Sequence, residues 1–307
     1  MKVYQAIELY KPAKPSVVTI GTFDGVHLGH KKIIERLVAT ANLSDYESVL
    51  LSFFPHPRMV VQHQADIKML NTLDERCEIL SQTGLNHLII HPFTKAFSRQ
   101  TALEYAEQVL VKSLNTKHII IGYDHRFGRN RTADIDDLRE FGKQFGFEVS
   151  EISAQEVNEV AVSSTKIRKA LADGEIGLAN TYLGYEFMLS GTIVKGRGLG
   201  KDLGFPTANL SIAESYKLVP REGVYVIKSW LKGRTVYCIM FIGKYPTVDG
   251  QGRHIEINFF VVNEDLYDQK ISISLLEYLR EEQKFDSLDS LKNQLAKDRQ
   301  SALAFLK

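Results

Sequence analysis

Two histidines follow a short apolar run near the start of the chain. His27 and His30 belong to the string GTFDGVHLGH (Gly21–His30), which comes directly after Val17–Ile20 and directly before a segment with helical periodicity. A glycine-rich turn that leads into a helix presents unpaired backbone N–H groups and the positive end of the helix dipole. The imidazoles add donors, and Gly29 lets the backbone approach a phosphate closely. This arrangement suits a triphosphate; the alternative is a pair of polar residues at a helix start.

A second polar cluster, VSSTKIR, lies far along the chain at Val162–Arg168. Ser163, Ser164 and Thr165 can cap the short helix that follows. Helix capping alone would also explain these residues if the segment has no functional role. Lys166 and Arg168 would then be available to meet phosphate.

Two further strings follow apolar runs in the same half. FPHP begins at Phe54, after the run Val49–Phe53, and GYDHRFGR begins at Gly122, after Ile119–Ile121. Open α/β sheets bind ligands beyond the carboxyl ends of their strands, and both strings are placed there. Each string alone would be an ordinary loop.

The second half contains a glycine-rich segment that only superficially resembles a dinucleotide loop. In Gly191–Gly200 (GTIVKGRGLG) the next residue is Lys201 instead of a third glycine, and Gly204-Phe205-Pro206 follows where that motif needs a helix. A dinucleotide site is therefore excluded here, and the chain has no Walker A string.

The periodicity of the chain divides it into two parts. Up to about Leu171 short apolar runs alternate with helical segments such as Lys32–Ala41, which predicts a parallel α/β sheet. After Leu183 the runs are β-rich and separated by turn residues, which predicts an antiparallel barrel. These later runs are Phe187–Val194, Val224–Leu231, Val236–Ile242, Ile255–Val262 and Ile271–Leu276, followed by a terminal helix over Leu288–Leu306. The change near Tyr182–Tyr185 predicts domains of 1–183 and 184–307.

The composition narrows the class of protein. The chain has 307 residues, enough for two folded domains, and a formal net charge of +1, so no overall field would hold it on nucleic acid or an anionic membrane. The two cysteines have no metal-ligand spacing, and no signal peptide or run of about 18 apolar residues is present. We expect a cytoplasmic protein. The sequence does not determine whether it is a monomer or a homo-oligomer.

The motifs of the first half resemble those of a known enzyme group. HxGH after a first strand is the signature of the nucleotidyltransferase superfamily, and GTFDGVHLGH resembles its FMN adenylyltransferase branch, with VSSTKIR as the second element. The resemblance implies attack of the FMN phosphate on the α-phosphorus of ATP, with His27, His30 and Arg168 as catalytic groups and Mg²⁺ present. The ATP and flavin contacts that it implies are Gly21, Phe23, Asp24, Gly29, Phe54, His56, Asp124, Arg126, Ser163, Ser164 and Thr165.

The second half resembles riboflavin kinases. The glycine-rich flap runs into LGFPTAN, where the resemblance places Thr207 and Asn209 at Mg-ATP and Glu256 as the base that accepts the ribityl hydroxyl proton. Without this resemblance, Thr207 and Asn209 would be interpreted as turn residues that bond to their own backbone, and Glu256 as a strand residue that faces solvent. The other implied contacts are Gly191, Lys195, Gly196, Gly204, Pro206, Arg280, Glu282 and Phe285.

Several residues depart from the kinase pattern around Glu256. Phe241 stands where the family usually has asparagine, Asn258 where it has histidine, Val261 where it has aspartate, and Asp268 where it has glycine. These changes predict that riboflavin phosphorylation is the slower activity.

Taken together, the motifs predict a bifunctional enzyme that converts riboflavin to FMN and FMN to FAD. Three alternatives remain at this point: a monofunctional FAD synthetase whose degenerate barrel only binds flavin, a flavin-storing protein without turnover, and a cytidylyltransferase. The kinase-like barrel argues against the last of these.

Overall fold

The computed structural model describes residues 1–62, 67–122, 126–152, 162–195, 206–247, 250–260 and 266–307. Among the residues named above, Asp124, Gly196, Lys201, Gly204, Phe205 and Val261 lie outside the described residues. The chain forms two compact units, of which the first comprises 1–69 and 73–164 and the second comprises 70–72 and 165–307.

The first unit is built on a six-stranded parallel sheet. Its strand order is β1-β4-β3-β2-β5-β6. The strands are β1 Lys2–Tyr4, β2 Ser16–Ile20, β3 Glu47–Phe54, β4 His87–Pro92, β5 Thr116–Gly122 and β6 Glu148–Ile152. The chain moves outward on one side of β2 and later returns to its other side with β5. The topological switch point therefore lies between β2 and β5, where open sheets of this kind form ligand crevices.

Helices cover this sheet because their apolar stripes match buried strands. All residues of β2 are buried, and Ile34, Leu37 and Ala41 of the first helix pack into the same core cluster as Val17 of β2. The helices are α1 Leu28–Leu43, α2 Pro57–Val61, α3 Leu73–Ser81, α4 Ala102–Glu104 with a π-helical continuation Tyr105–Ser113, and α5 Ile135–Phe145. The predicted α/β architecture is confirmed.

The two outer strands of the sheet, β1 and β6, do not coincide with any of the apolar runs in the sequence. β1 has only three residues, two of them exposed, and β6 is mostly half-buried. Edge strands bury too little surface to need a continuous apolar run, so their sequences resemble loops.

The second unit is a closed six-stranded barrel with strand order β10-β11-β8-β7-β12-β9. All its neighbouring strands are antiparallel. The strands are β7 Met188–Val194, β8 Ala208–Ser211, β9 Gly223–Leu231, β10 Arg234–Thr247, β11 Gly250–Phe259 and β12 Lys270–Arg280, and the terminal helix is α8 Leu288–Phe305. The predicted antiparallel barrel and terminal helix are confirmed.

Two helices before the barrel contribute to its core. They are α6 Ser164–Asp173 and α7 Ile176–Leu183. Leu171 and Leu183 are fully buried in the same cluster as Phe187 and Leu189 of the barrel. The compact units thus divide at Ser164, whereas the boundary at Leu183 rests on where the sequence motifs change and stays a prediction. No helix among the described residues is long and apolar enough to cross a membrane.

Candidate functional site

The turn after β2 has an unusual backbone. The Gly21 N–H donates to the Leu51 carbonyl of β3 at 3.1 Å, and the Val26 N–H donates to the Phe23 carbonyl at 3.2 Å. Phe23, Gly25 and Val26 have φ values of 47°, 86° and 33°. Left-handed conformations at non-glycine residues cost energy and are held only where the surroundings define them, as at functional sites. The backbone is therefore fixed at the carboxyl end of β2, beside the switch point.

The two histidines lie against each other where α1 begins. His27 is the N-cap of α1, and its Nδ1 accepts a hydrogen bond from the His30 N–H at 3.3 Å. The two rings are stacked, with centroids 3.7 Å apart and planes 15° from parallel. A Cβ on Gly29 would lie 3.3 Å from two atoms of the His27 ring. A side chain at position 29 would therefore press on the His27 ring, and glycine leaves this space open.

Both histidines are neutral at physiological pH. Burial lowers the pKa of His27 from 6.5 to about 4. Burial, followed by the charges of His27 and Arg76, holds the pKa of His30 well below 6.5. Because His27 accepts a bond at Nδ1, its proton is on Nε2. At neutral pH the pair therefore offers N–H dipoles to a phosphate, and positive charge must come from other groups.

Arg76 of α3 is a site residue that the sequence analysis missed. It is only 2% exposed, and its Nη1 donates to the Thr22 carbonyl in the turn and to the Ser52 Oγ of β3 at 3.2 Å. The sequence does carry one signal. Leu73, Arg76 and Leu80 recur at helical spacing on one face, so the arginine occupies an apolar-face position of α3.

One residue of the second motif contacts the turn within the first unit. The Ser164 Oγ donates to the Asp24 carbonyl at 2.9 Å, and Asp24 is buried. The Val162 side chain also lies 3.7 Å from the position of a Cβ on Gly29. The HxGH turn and the start of the VSSTKIR string therefore meet. Thr165 and Arg168 fall in the second unit, and their roles stay predictions.

Three other predicted residues lie at carboxyl ends of the sheet. Phe54 ends β3, and His56 is the N-cap of α2, where its Nδ1 accepts from the Arg58 N–H at 3.2 Å. Arg126, after β5, forms an exposed ion pair with Asp134 at 2.8 Å. Arg126 would have to exchange this carboxylate for a phosphate to act as predicted.

Aromatic side chains gather in the core of the first unit. The Phe97 and Tyr105 ring centroids lie 6.0 Å apart, and those of Tyr105 and Phe127 lie 5.8 Å apart. Tyr105 is 5% exposed, and its hydroxyl has no hydrogen-bond partner among the described residues. A buried hydroxyl of this kind is costly unless a ligand or water pairs with it.

In the barrel, three side chains form a row across adjacent strands. Asn209 of β8 is the direct cross-strand partner of Glu256 of β11, and Phe241 of β10 is the partner of Glu256 on the other side. All three are partly exposed. The structure therefore brings the predicted base and one predicted metal ligand together, beside the phenylalanine that departs from the family pattern.

The segment after β12 reaches the same part of the barrel. A Cβ on Gly243 would overlap the Phe241 ring and lie 3.4 Å from the Glu282 Oε1. The Phe241 ring therefore lies over Gly243, and Glu282 is adjacent to it. The absence of a side chain at position 243 leaves room for the Phe241 ring, so this departure from the family pattern is accommodated locally.

The guanidinium of Arg280 forms hydrogen bonds to other residues of the second unit. Its Nε and Nη2 donate to the two carboxylate oxygens of Asp298 in α8 at 2.8 and 2.7 Å, and its Nη1 donates to the Glu281 carbonyl at 2.9 Å. Asp298 is 3% exposed. The guanidinium thus anchors the loop after β12 to α8, and its predicted contact with flavin is untested. Phe285 packs near it, with the guanidinium 6.0 Å from the ring centre.

The remaining predicted residues of the barrel have local explanations. A Cβ on Gly191 would lie 2.5 Å from the Ser211 carbonyl oxygen of β8, so close packing of β7 and β8 already requires glycine. The Lys195 Nζ lies 5.7 Å from the centre of the Tyr267 ring. The Pro206 carbonyl accepts a bond from Asn258.

Comparisons with known proteins identify the family. A family model for FAD synthetase matches residues 10–166, and one for riboflavin kinase matches 183–306. A bifunctional riboflavin kinase/FMN adenylyltransferase of Buchnera aphidicola is 35% identical to this chain. The match covers 97% of this chain and 96% of the length of that protein. The Escherichia coli K12 protein of that name is 34% identical over 96% and 94%.

Among solved structures, a Streptococcus pneumoniae protein described as a macrolide-efflux protein matches with a TM-score of 0.89 and 28% identity over 98% of both chains. That description concerns the other protein, whereas the two family models account for nearly all of this sequence. The chain belongs to the family of bifunctional riboflavin kinase/FMN adenylyltransferases.

Proposed function

We propose that this chain makes FAD from riboflavin in two ATP-dependent steps. The barrel transfers the γ-phosphoryl group of ATP to riboflavin, and the α/β unit transfers the adenylyl group of a second ATP to FMN and releases pyrophosphate. The observation that carries the second step is the stacked pair of buried His27 and half-buried His30 at the beginning of α1, next to the switch point of the sheet.

In the adenylyl transfer, a phosphate oxygen of FMN attacks the α-phosphorus of ATP. A new P–O bond forms as the bond from the α-phosphorus to the bridging oxygen breaks, and that oxygen leaves with pyrophosphate. No covalent enzyme intermediate is needed, so positioning and stabilisation of charge supply the rate. We assign the donors to the N-terminus of α1, to His27 through Nε2–H and to His30, and the cationic contribution to Arg168.

The same reading assigns the flavin and ATP contacts of the first unit. Gly21, Phe23 and Asp24 belong to the turn that follows β2, and Gly29 to the first turn of α1. The other proposed contacts are Phe54, His56, Asp124, Arg126, Ser163, Ser164 and Thr165.

In the kinase step, Glu256 accepts the proton of the ribityl hydroxyl as that oxygen attacks the γ-phosphorus of ATP, and ADP leaves. Thr207 and Asn209 supply neutral oxygen atoms beside the Glu256 carboxylate, and this donor set suits a hard cation such as Mg²⁺. When bound, Mg²⁺ would neutralise negative charge on the phosphates.

We also propose a division of function at Leu183, a cytoplasmic location, and a protein whose only substrates are small molecules. The two cysteines are unpaired thiols, which suits a reducing compartment. A homo-oligomer remains compatible with all of these assignments.

The test is to incubate the protein with riboflavin, ATP and Mg²⁺ and to separate riboflavin, FMN and FAD by chromatography. His30→Ala should lower FAD formation from FMN by roughly 10²-fold or more and spare riboflavin phosphorylation. Glu256→Gln should do the reverse, with a loss of roughly 10²–10⁴-fold in phosphorylation. Each variant therefore serves as the control for the other.

The outcomes separate the alternatives. FAD made from FMN without any FMN made from riboflavin would identify a monofunctional FAD synthetase. Purified protein that contains stoichiometric bound flavin but releases no pyrophosphate from ATP and FMN would indicate a flavin-storing protein. Normal FAD synthesis by a folded His30→Ala protein would refute the role of the histidine pair.

A further inference from the structure

The main-chain pairing between β8 and β11 is short. Among the described residues it consists of two residue pairs, Ala208 with Ile257 and Asn209 with Glu256. Beyond Ala208 the chain leads back to Thr207 and Pro206, and proline has no N–H with which to continue a ladder. The pairing therefore ends between the two proposed metal ligands: Asn209 is paired with Glu256, and Thr207 lies beyond the last pair.

A side chain extends this pairing where the main chain cannot. The Asn258 Nδ2 donates to the Pro206 carbonyl at 2.9 Å. Continuing the register of the two strands by one residue places Asn258 opposite Thr207, so the amide reaches one residue past its partner. Thr207 thus lies between main-chain pairing on one side and the Asn258 bond on the other.

Asn258 also shares a face with the proposed reacting groups. Alternate residues of a strand point to the same face, so Asn258 lies on the face of Glu256, and Thr207 on the face of Asn209. Cross-strand neighbours of this kind have Cβ atoms about 4.5–5.5 Å apart. A movement of Pro206 would displace Thr207 relative to Glu256, and misplacement of about 1 Å can cost a large factor in rate.

We propose that Asn258 is a positioning residue for phosphoryl transfer: its amide holds Pro206 and thereby fixes Thr207 relative to the paired residues Asn209 and Glu256. This inference rests on the kinase function proposed above. It gives a definite role to a residue that, from sequence alone, was only a departure from the family pattern. Histidine, which the family usually has there, can also donate a hydrogen bond from its ring.

A merely structural bond would lower stability without affecting ATP, and the chain offers a matched control. The Asn180 Nδ2 donates to the Leu275 carbonyl at the same distance, 2.9 Å, in the same unit, and its Oδ1 accepts from the Phe187 N–H. Asn180→Ala removes two side-chain hydrogen bonds and Asn258→Ala removes the one to Pro206. Asn180 is remote in sequence from β8.

The experiment compares the wild type with Asn258→Ala, Asn258→His and Asn180→Ala in the full chain. Two readouts are needed: amide hydrogen exchange of the segment 206–211, and kcat with KM for MgATP and for riboflavin. FMN adenylylation serves as the internal control. We expect faster exchange at 206–211 and a roughly 5–10-fold rise in KM for MgATP in Asn258→Ala, the size of one lost neutral hydrogen bond. KM for riboflavin should change less, and Asn258→His should restore both values within about threefold.

The results that would overturn the proposal are distinct from failure of the kinase assignment. Unchanged exchange in Asn258→Ala, an equal rise in KM for MgATP in Asn180→Ala, or no recovery in Asn258→His would each refute the positioning role. A wild-type chain that makes FAD from FMN but never phosphorylates riboflavin would instead refute the proposed kinase, and the positioning role would fall with it.

Discussion

The depressed pKa of His27 predicts that the first unit loses stability in mild acid. Burial holds this pKa at about 4, against 6.5 in the unfolded chain. Between these values the unfolded chain binds a proton that the folded chain does not, so the free energy of unfolding falls as pH decreases. The contribution is fully present above pH 6.5 and is lost as pH falls towards 4. Protonation would also occupy the Nδ1 that caps α1.

The magnitude follows from the shift. A depression from 6.5 to about 4 corresponds to about 3 kcal/mol of stability at neutral pH, at 1.36 kcal/mol per pKa unit. Between pH 7 and pH 4.5 the linkage relation gives a loss of about 2 kcal/mol from His27 alone. His30, whose pKa is lowered in the same direction, adds to it.

The assay compares the wild type with His27→Asn, because asparagine is also a good N-cap but does not titrate. Urea unfolding at pH 7 and pH 4.5 is followed by circular dichroism. The single tryptophan, Trp230, belongs to the second unit, so a change in its fluorescence on unfolding is a separate signal from that unit. The wild type should lose about 2 kcal/mol more than the variant over this interval. An equal loss in both proteins, or a His27 imidazole NMR signal that titrates near pH 6.5, would refute the reasoning.

Three further predictions concern side-chain contacts. Gly29→Ala should displace the His27 ring, which lies 3.3 Å from the new Cβ, and lower FAD formation in steady-state assays without affecting riboflavin phosphorylation. Arg76→Met should raise the pKa of His30, because the guanidinium charge helps to lower it, and move the acid limb of the pH profile of FAD formation to higher pH. Asp298→Asn should release Arg280 and raise KM for riboflavin; since breaking a buried ion pair costs about 3–5 kcal/mol, calorimetry must also show a lower Tm.

The fold was predictable where apolar patterning is strong. The central strands of the sheet and the long barrel strands bury continuous or alternating apolar residues, and their runs are visible in the sequence. β8 was not predicted as a strand because its four residues, Ala208–Ser211, include two polar side chains, one of them Asn209 of the proposed site. Its position is set by pairing with β7 and β11, which is information that no local window contains.

The proposed sites were predictable as motifs but not as networks. The histidine pair was found from its spacing, whereas the stacking of the two rings and their neutrality depend on burial. Arg76 was missed because its partners, Thr22 and Ser52, belong to a distant loop and strand. The Asn258 bond to Pro206 likewise joins residues that are 52 positions apart. Such contacts follow from strand order and register, which arise only once the whole unit is assembled.

Neutral histidines restrict how the adenylyl site can neutralise a triphosphate. The His27 and His30 rings are centred 3.7 Å apart. Two positive charges at about 4 Å repel by roughly 4 kcal/mol even at an effective dielectric of 20, so the pair can hold at most one proton beyond its neutral state when ATP binds. Further positive charge must therefore come from outside the HxGH turn, from the dipole of α1, a bound cation, or the basic residues of the second motif. The role proposed for the basic residues of VSSTKIR, Lys166 and Arg168, would meet this requirement, because they would add permanent cations to the oriented neutral donors of the first motif.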